Sequence, residues 1–146
     1  MATLKISDLS VGDWVQDNYG DYVKVAGIWQ GCNFNYQVDI LRDGRIGTIV
    51  PCNLHPIPIT VDILEKNWFF SDRLAGWYKC KLGDILRTRI EVHIGAVGVD
   101  RIEISSVDAF DEDWSTLDVM INKPIKGVHQ LQHALRLAGV DKEINL

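Results

Sequence analysis

Residues 34–50 have the sequence FNYQVDILRDGRIGTIV, and this stretch decides the fold of the N-terminal part of the chain. Apolar and polar side chains alternate from residue 34 to residue 40, which is the two-residue period of a strand with one solvent-facing side. Asp43 and Gly44 separate this run from a second apolar run. An Asp-Gly pair between two apolar runs is the strongest short-range hairpin signal, so the stretch predicts two antiparallel strands.

Shorter strand patterns precede this hairpin at residues 11–15 and 22–28. The turns between the strands contain Gly20 and Gly31, and glycine is the residue that tight turns and barrel corners require. Four short strands so close together favour a small, strongly curved sheet. The sequence therefore predicts an N-terminal SH3-like β-barrel over residues 1–59.

A proline-rich segment follows the hairpin. Pro51, Pro56 and Pro58 lie within eight residues, and each restricts the residue before it to an extended conformation. We therefore expect a stiff connector here and a domain boundary after residue 59. Thr60 is the expected N-cap of a short helix that ends at Asn67.

The second predicted domain, residues 60–146, combines strands with a longer C-terminal helix. Strand patterns lie at residues 77–82, 90–94, 101–104 and 117–121. Apolar residues at helical spacing then predict a helix over residues 128–138, with Gly139 as its stop. Strands and helices do not alternate as in a parallel α/β fold, so the chain is expected to be α+β, with one short and one longer helix.

Composition excludes several classes of protein. The chain has 146 residues, of which 47% are hydrophobic and 24% are charged, and its net charge is -5. These values are those of a globular protein, and they exclude a disordered tail, a collagen-like fibre and a membrane span. Cys32, Cys52 and Cys80 form no C-x-x-C pair, and the N-terminus has no signal-peptide pattern, so we expect a cytoplasmic protein.

Three segments together resemble a known family. They are GDWV at residues 12–15, LHPIPIT at 54–60 leading into ILEKN at 63–67, and VHQLQ at 128–132. In this combination and order they resemble uncharacterised small proteins of Bacteroides-type gut bacteria and of their prophages or mobile elements. The resemblance implies an origin and a layout, and it implies no catalytic activity. The N-terminal part separately resembles an SH3-like small barrel, a likeness that transfers no function.

The candidate binding residues are aromatic and basic side chains of the second domain. Cations interleaved with aromatic rings are typical of proteins that bind single-stranded nucleic acid by stacking and phosphate contact. The alternative is an ordinary solvated strand face, because the chain is acidic overall and residues 100–118 are rich in carboxylates. The candidates are Trp77, Tyr78, Lys79, Lys81, Arg87 and Arg89.

Two patterns bear on metal binding. His129 and His133 share one face of the predicted helix, but the residue after the first histidine is Gln130, where a helical zinc protease has its glutamate. The acidic residues at 108–113 lack the spacing of an EF-hand loop. We therefore predict no metal site, no cofactor and no catalytic residues. We expect the two histidines to be partly exposed polar residues on the rim of an amphipathic helix, and the acidic residues to form a solvated loop.

The sequence thus favours a non-enzymatic binding or assembly module, associated with a prophage or mobile element. Its expected partner is another protein or a second copy of the chain, and no membrane is expected. One alternative is a nucleic-acid-binding protein that uses the barrel and residues 73–89. Another is a metal-dependent hydrolase, which remains open because spatial clustering cannot be seen in a sequence.

Overall fold

The computed structural model describes residues 3–71, 76–80, 88–95, 98–106, 127–137, 139–140 and 142–146. The chain divides into two compact units. One comprises Met1–Pro58 with Gly127–Gln130, and the other comprises Ile59–Lys126 with Leu131–Leu146. Each unit contains one antiparallel sheet in the described residues.

The N-terminal sheet has the strand order β4-β3-β2-β1-β5, and every neighbouring pair is antiparallel. Strands β1 to β4 form a meander, whereas β5 returns to pair with β1. Their bounds are β1 Trp14–Asp17, β2 Tyr22–Gln30, β3 Tyr36–Arg42, β4 Arg45–Ile49 and β5 Leu54–His55.

The predicted β3–β4 hairpin is present. Asp43 and Gly44 are its two-residue turn, and their φ angles are 48° and 76°. Positive φ at both central residues is the mark of a type I′ turn, whose twist matches that of the strands. Arg42 therefore pairs directly with Arg45.

The core of this sheet lies on one face. Alternate residues of the strands are buried there, since successive side chains of a strand point to opposite faces. Burying each such valine or leucine contributes roughly 1.5–3 kcal/mol, so this face is the main source of stability for the unit. The buried residues are Leu4, Leu9, Val15, Val23, Val25, Val38, Ile40 and Leu54.

The predicted SH3-like barrel is not closed, because in the described residues β4 and β5 are the two edges of an open five-stranded sheet. Only a 3₁₀ turn, Pro51–Asn53, separates these edge strands along the chain, and β5 is two residues long. Both residues of β5 pair with β1, and a strand of two residues is too short to form a second ladder with β4.

The proline-rich segment is more than a connector. Besides β5, it supplies Leu54 and Ile57 to the interior, and these side chains are 0% and 1% exposed. The prediction missed this strand because proline cannot donate a ladder hydrogen bond, and the two residues of β5 lie between prolines.

The second unit begins with helix α1 (Val61–Lys66), and its caps are as predicted. The hydroxyl of Thr60 accepts a hydrogen bond from the backbone N–H of Ile63, at 3.3 Å. At the other end, the N–H of Asn67 donates to the carbonyl of Leu64. The side chains of Ile63 and Leu64 form the buried face of this helix.

The second sheet has the order β6-β7-β8-β9, again antiparallel throughout. Its strands are β6 Phe69–Ser71, β7 Trp77–Cys80, β8 Thr88–Gly95 and β9 Gly98–Ser106. Gly95 pairs with Gly98, so this glycine pair flanks a hairpin. The buried face includes Phe69, Cys80, Ile90, Val92 and Ile102.

The longer C-terminal helix is α2, Val128–Leu137. Gly139 has a φ of 76° and donates its N–H to the carbonyl of Arg136, which confirms the predicted stop. Within the described ranges, no helix is long and apolar enough to cross a membrane. The strand predicted at residues 117–121 lies outside those ranges. The α+β class is confirmed, with antiparallel sheets and a longer helix at the C-terminal end.

Candidate binding groove

A groove of about 660 Å³ lies against β4, which is an edge strand of the N-terminal sheet in the described residues. Every residue of β4 lines it, so the groove follows the whole strand. The remaining lining comes from β3, from the hairpin turn, from the turn between β1 and β2, and from the 3₁₀ turn. In the same order, these lining residues are Ile40 and Arg42 of β3, Asp43 of the hairpin turn, Asn18 and Tyr19 of the β1–β2 turn, and Asn53 of the 3₁₀ turn.

Gly47 leaves the floor of the groove open. It pairs with Ile40, so the two residues share the face of the sheet that carries the core. A Cβ built on Gly47 would meet no atom within 4 Å. A side chain here would occupy the groove without displacing the protein, and its absence leaves the middle of β4 accessible.

A buried carboxylate compensates one of the two arginines in the groove. Arg42 forms an ion pair with Asp17, whose side chain is 0% exposed, and a longer one with Asp21, at 3.6 Å. Asp17 is itself held by its own turn, because its Oδ1 accepts the backbone N–H groups of Tyr19 and Asp21 at 2.8 and 3.0 Å. The charge of Arg42 is therefore matched inside the unit.

Arg45 is placed differently. It lies directly opposite Arg42 in the ladder, and like charges at directly paired positions are destabilising. Its side chain is exposed, and in the described part of the chain no carboxylate lies within 4 Å of it. Although Asp43 also lines the groove, it forms no ion pair with Arg45 in that same part. The groove is thus lined by an accessible guanidinium and by an exposed aromatic ring, since Tyr19 is 80% exposed.

Four of the predicted binding residues lie elsewhere, in the second sheet. Trp77, Tyr78 and Lys79 are consecutive residues of β7. The backbone of Arg89 belongs to β8, where it pairs with Ser105. Lys81 and Arg87 lie outside the described residues.

The contacts of Trp77 are mostly with its own sheet. Its ring centroid is 4.9 Å from that of His93, the residue paired with it on β8. The guanidinium of Arg101, which pairs with His93, lies 5.9 Å from the centroid of the Trp77 ring. These contacts form a row across three strands, and such a row stabilises the sheet.

Two cations of this sheet lie close to carboxylates. Lys79 lies 3.6 Å from Glu91, and Arg101 lies 3.4 Å from Glu103. A protein that binds nucleic acid by neutralising phosphates needs cations that are not already matched by carboxylates. Lys79, the one candidate cation whose side chain the structure describes, is therefore already matched by a carboxylate.

The two histidines of α2 differ in exposure. His129 is 1% exposed, which contradicts the expectation of a polar surface residue, whereas His133 is half-buried. The described residues contain no group of three or more His, Cys, Asp or Glu side chains that could hold a metal ion. The acidic cluster at 108–113 lies outside them.

The cysteines also separate by exposure. Cys32 and Cys52 are exposed, whereas Cys80 is buried in the second sheet. Burial raises the pKa of the Cys80 thiol to about 11, because an apolar environment disfavours the thiolate, and the nearby positive charge of Lys142 opposes the shift only in part. Cys32 and Cys52 are thus the two accessible thiols of the chain.

Comparison with known proteins gives no relative: no family model matches the chain, and neither the curated proteins nor the solved structures contain a significant match.

The sequence contained a partial signal for the groove. Arg42 and Arg45 flank the predicted Asp-Gly turn, so their direct pairing followed from the hairpin. The contribution of Asn18 and Tyr19 did not follow, because the turn between β1 and β2 is distant from β4 along the chain. Only the tertiary fold brings them to the edge of β4.

Proposed function

We propose that this chain is a non-enzymatic binding or assembly module, and that the groove along β4 is its protein-binding site. The groove carries the proposal because it combines an open sheet edge, an accessible guanidinium and an exposed aromatic ring. Aromatic and arginine side chains are the residue types enriched where proteins bind other proteins.

The nucleic-acid alternative receives less support. It depends on cations and rings of the second sheet, and two of them, Lys79 and Trp77, contact side chains of the neighbouring strand. A salt-dependent mobility shift with short DNA and RNA tests it, and binding at low salt that requires Trp77 and Lys79 would favour it over our proposal. No observation on the described residues favours the hydrolase.

Origin and location belong to the same proposal. A binding module of a prophage or mobile element would be encoded beside other phage or conjugation genes, and it would act in the cytoplasm. The neighbourhood of the gene tests the first point, and fractionation of the native host tests the second. The sequence resemblance is the support for this part of the proposal.

Filling the groove tests the binding site. Gly47→Val adds a side chain where a Cβ has open space, so we expect it to block the groove without unfolding the unit. Tyr22→Val is the matched control, because Tyr22 is 50% exposed and lies on the opposite face of the sheet. We expect proteins from the native host to bind the wild type and Tyr22→Val but not Gly47→Val. Equal binding to all three forms would contradict the proposal.

A further inference from the structure

We infer that the partner binds as an extended strand that adds antiparallel to β4, with a carboxylate facing Arg45. This inference rests on the proposed function, since it describes how the groove would hold its ligand. The groove contacts β4 along its entire length, from Arg45 to Ile49, as an added strand would require.

The backbone of β4 offers a defined set of hydrogen bonds. A two-residue turn closes on a hydrogen-bonded pair, here Arg42 with Arg45, and hydrogen-bonded and open pairs alternate along an antiparallel ladder. The N–H and C=O groups of Ile46 and Thr48 therefore point away from β3. They lie at an edge of the sheet, where no described strand pairs with them.

The side chains of β4 specify what the added strand should contain. Arg45, Gly47 and Ile49 share the groove face, so alternate residues of the partner would lie over them. Opposite Gly47 the partner has room for a large apolar side chain. Opposite Arg45 a carboxylate would supply the charge that Asp17 supplies to Arg42.

These constraints predict a peptide pattern. An antiparallel partner has an apolar residue opposite Ile49, a large apolar residue opposite Gly47 and an acidic residue opposite Arg45, in that order from its N-terminus. We choose a fluorescein-labelled peptide with the core Val-Thr-Leu-Thr-Glu as the probe. Its counterpart has lysine in place of glutamate, and fluorescence anisotropy measures the dissociation constant of each.

The glutamate peptide is expected to bind at least about tenfold more tightly than the lysine peptide. Arg45→Glu should reverse this preference, because it reverses the charge that the peptide meets. Equal binding of both peptides to the wild type, or binding of neither, would overturn the inference.

Methylated peptides test the backbone pairing without altering the protein. In the antiparallel register the two threonine amides face β4, whereas the leucine amide faces away. N-methylation of both threonines should therefore abolish binding, and N-methylation of the leucine should leave it within about twofold. Equal effects of the two modifications would overturn strand addition.

Ile46→Pro provides the complementary test on the protein. It removes an N–H that points away from β3, and edge strands tolerate proline at such positions, so the sheet should remain intact. We expect loss of probe binding with an unchanged circular dichroism spectrum. A wild-type dimer that becomes a monomer on this substitution would show that a second copy occupies the edge, and it would overturn the peptide assignment.

Two outcomes separate this inference from the proposed function. If Gly47→Val abolishes capture of host proteins while Ile46→Pro leaves it intact, the groove is the binding site and strand addition is wrong. If neither substitution affects capture, the proposed function fails as well.

Discussion

The side-chain amide of Asn67 and the backbone of Asn145 form a reciprocal pair of hydrogen bonds. Nδ2 of Asn67 donates to the carbonyl oxygen of Asn145, and the N–H of Asn145 donates to Oδ1 of Asn67, both at 2.7 Å. The same Nδ2 also donates to the carbonyl of Ile63 in α1, at 2.6 Å. One buried amide thus joins the end of a helix to the C-terminal segment, 78 residues away along the chain.

Replacing Asn67 with alanine should strongly destabilise the protein. The residue is 0% exposed, so Asn67→Ala leaves buried or half-buried backbone groups without their partner, and each such group costs about 1–3 kcal/mol. Chemical denaturation measures the loss. Asn145→Ala is the matched control, because Asn145 contributes only backbone groups to the pair. If Asn145→Ala lowered the unfolding free energy as much as Asn67→Ala, the stabilising role of the Asn67 side chain would be contradicted.

Thr60→Ala should cost about 1 kcal/mol of unfolding free energy. The Thr60 hydroxyl satisfies the N–H of Ile63, and in a six-residue helix one capping bond is a large share of the local hydrogen bonding. Thr60→Ser keeps the hydroxyl and should stay within about 0.5 kcal/mol of the wild type. If the denaturation curves of Thr60→Ala and Thr60→Ser coincided, the capping hydrogen bond would not be stabilising.

The thiols should react in two classes. With the pKa of Cys80 raised to about 11 by burial, roughly one thiol in a thousand is ionised at pH 8. Cys32 and Cys52 are exposed, so we expect two fast equivalents with Ellman's reagent and a third after denaturation. Cys80→Ala should remove the slow equivalent alone. Three fast equivalents in the native protein would rule out the burial of Cys80.

The same pKa predicts a change in stability at alkaline pH. The folded state holds the Cys80 proton more tightly than the unfolded chain, whose thiol has the ordinary value near 9.0. Protonated Cys80 therefore favours folding at every pH below that value, and this contribution falls as pH rises from about 9 through 11. Comparing the wild type with Cys80→Ala across this range by thermal melting isolates the effect.

Substitutions at two glycines should have different effects on the unfolding free energy. A Cβ on Gly127 would lie 2.8 Å from both the Ile57 carbonyl oxygen and Cβ of Pro56, so Gly127→Ala forces the backbone apart. We expect a loss of about 1–3 kcal/mol. Gly47→Ala is the control, since its Cβ meets open space, and it should change the unfolding free energy by less than about 0.5 kcal/mol. Similar losses for both would contradict this steric explanation.

Local patterns predicted most of the described elements. The Asp43-Gly44 turn, the Thr60 cap and the Gly139 stop act over a few residues, so their structural consequences could be inferred directly from the sequence. The predicted first and last residues of these elements were less accurate. The first strand was predicted from residue 11 and begins at Trp14, because Gly12 has a φ of 90° and forms a turn.

The candidate site was harder to predict than the fold. Residues 77–79 form a visible cluster of aromatic and basic side chains, but the sequence does not show which residues pair with them. Glu91 and His93 come opposite them only through the register of β7 on β8. Whether a cation is available or already matched depends on such pairings, which join residues far apart in the chain.

The sequence by itself determined the α+β class, the hairpin between β3 and β4, the caps of α1 and the glycine stop of α2. The tertiary structure decided that the N-terminal sheet stays open, that Asp17 is buried against Arg42, and that Arg45 faces a groove. The physical reason is the range of the interactions. Turns and caps depend on backbone conformation over three or four residues, whereas sheet closure, charge matching and grooves depend on distant segments that meet only in the folded chain.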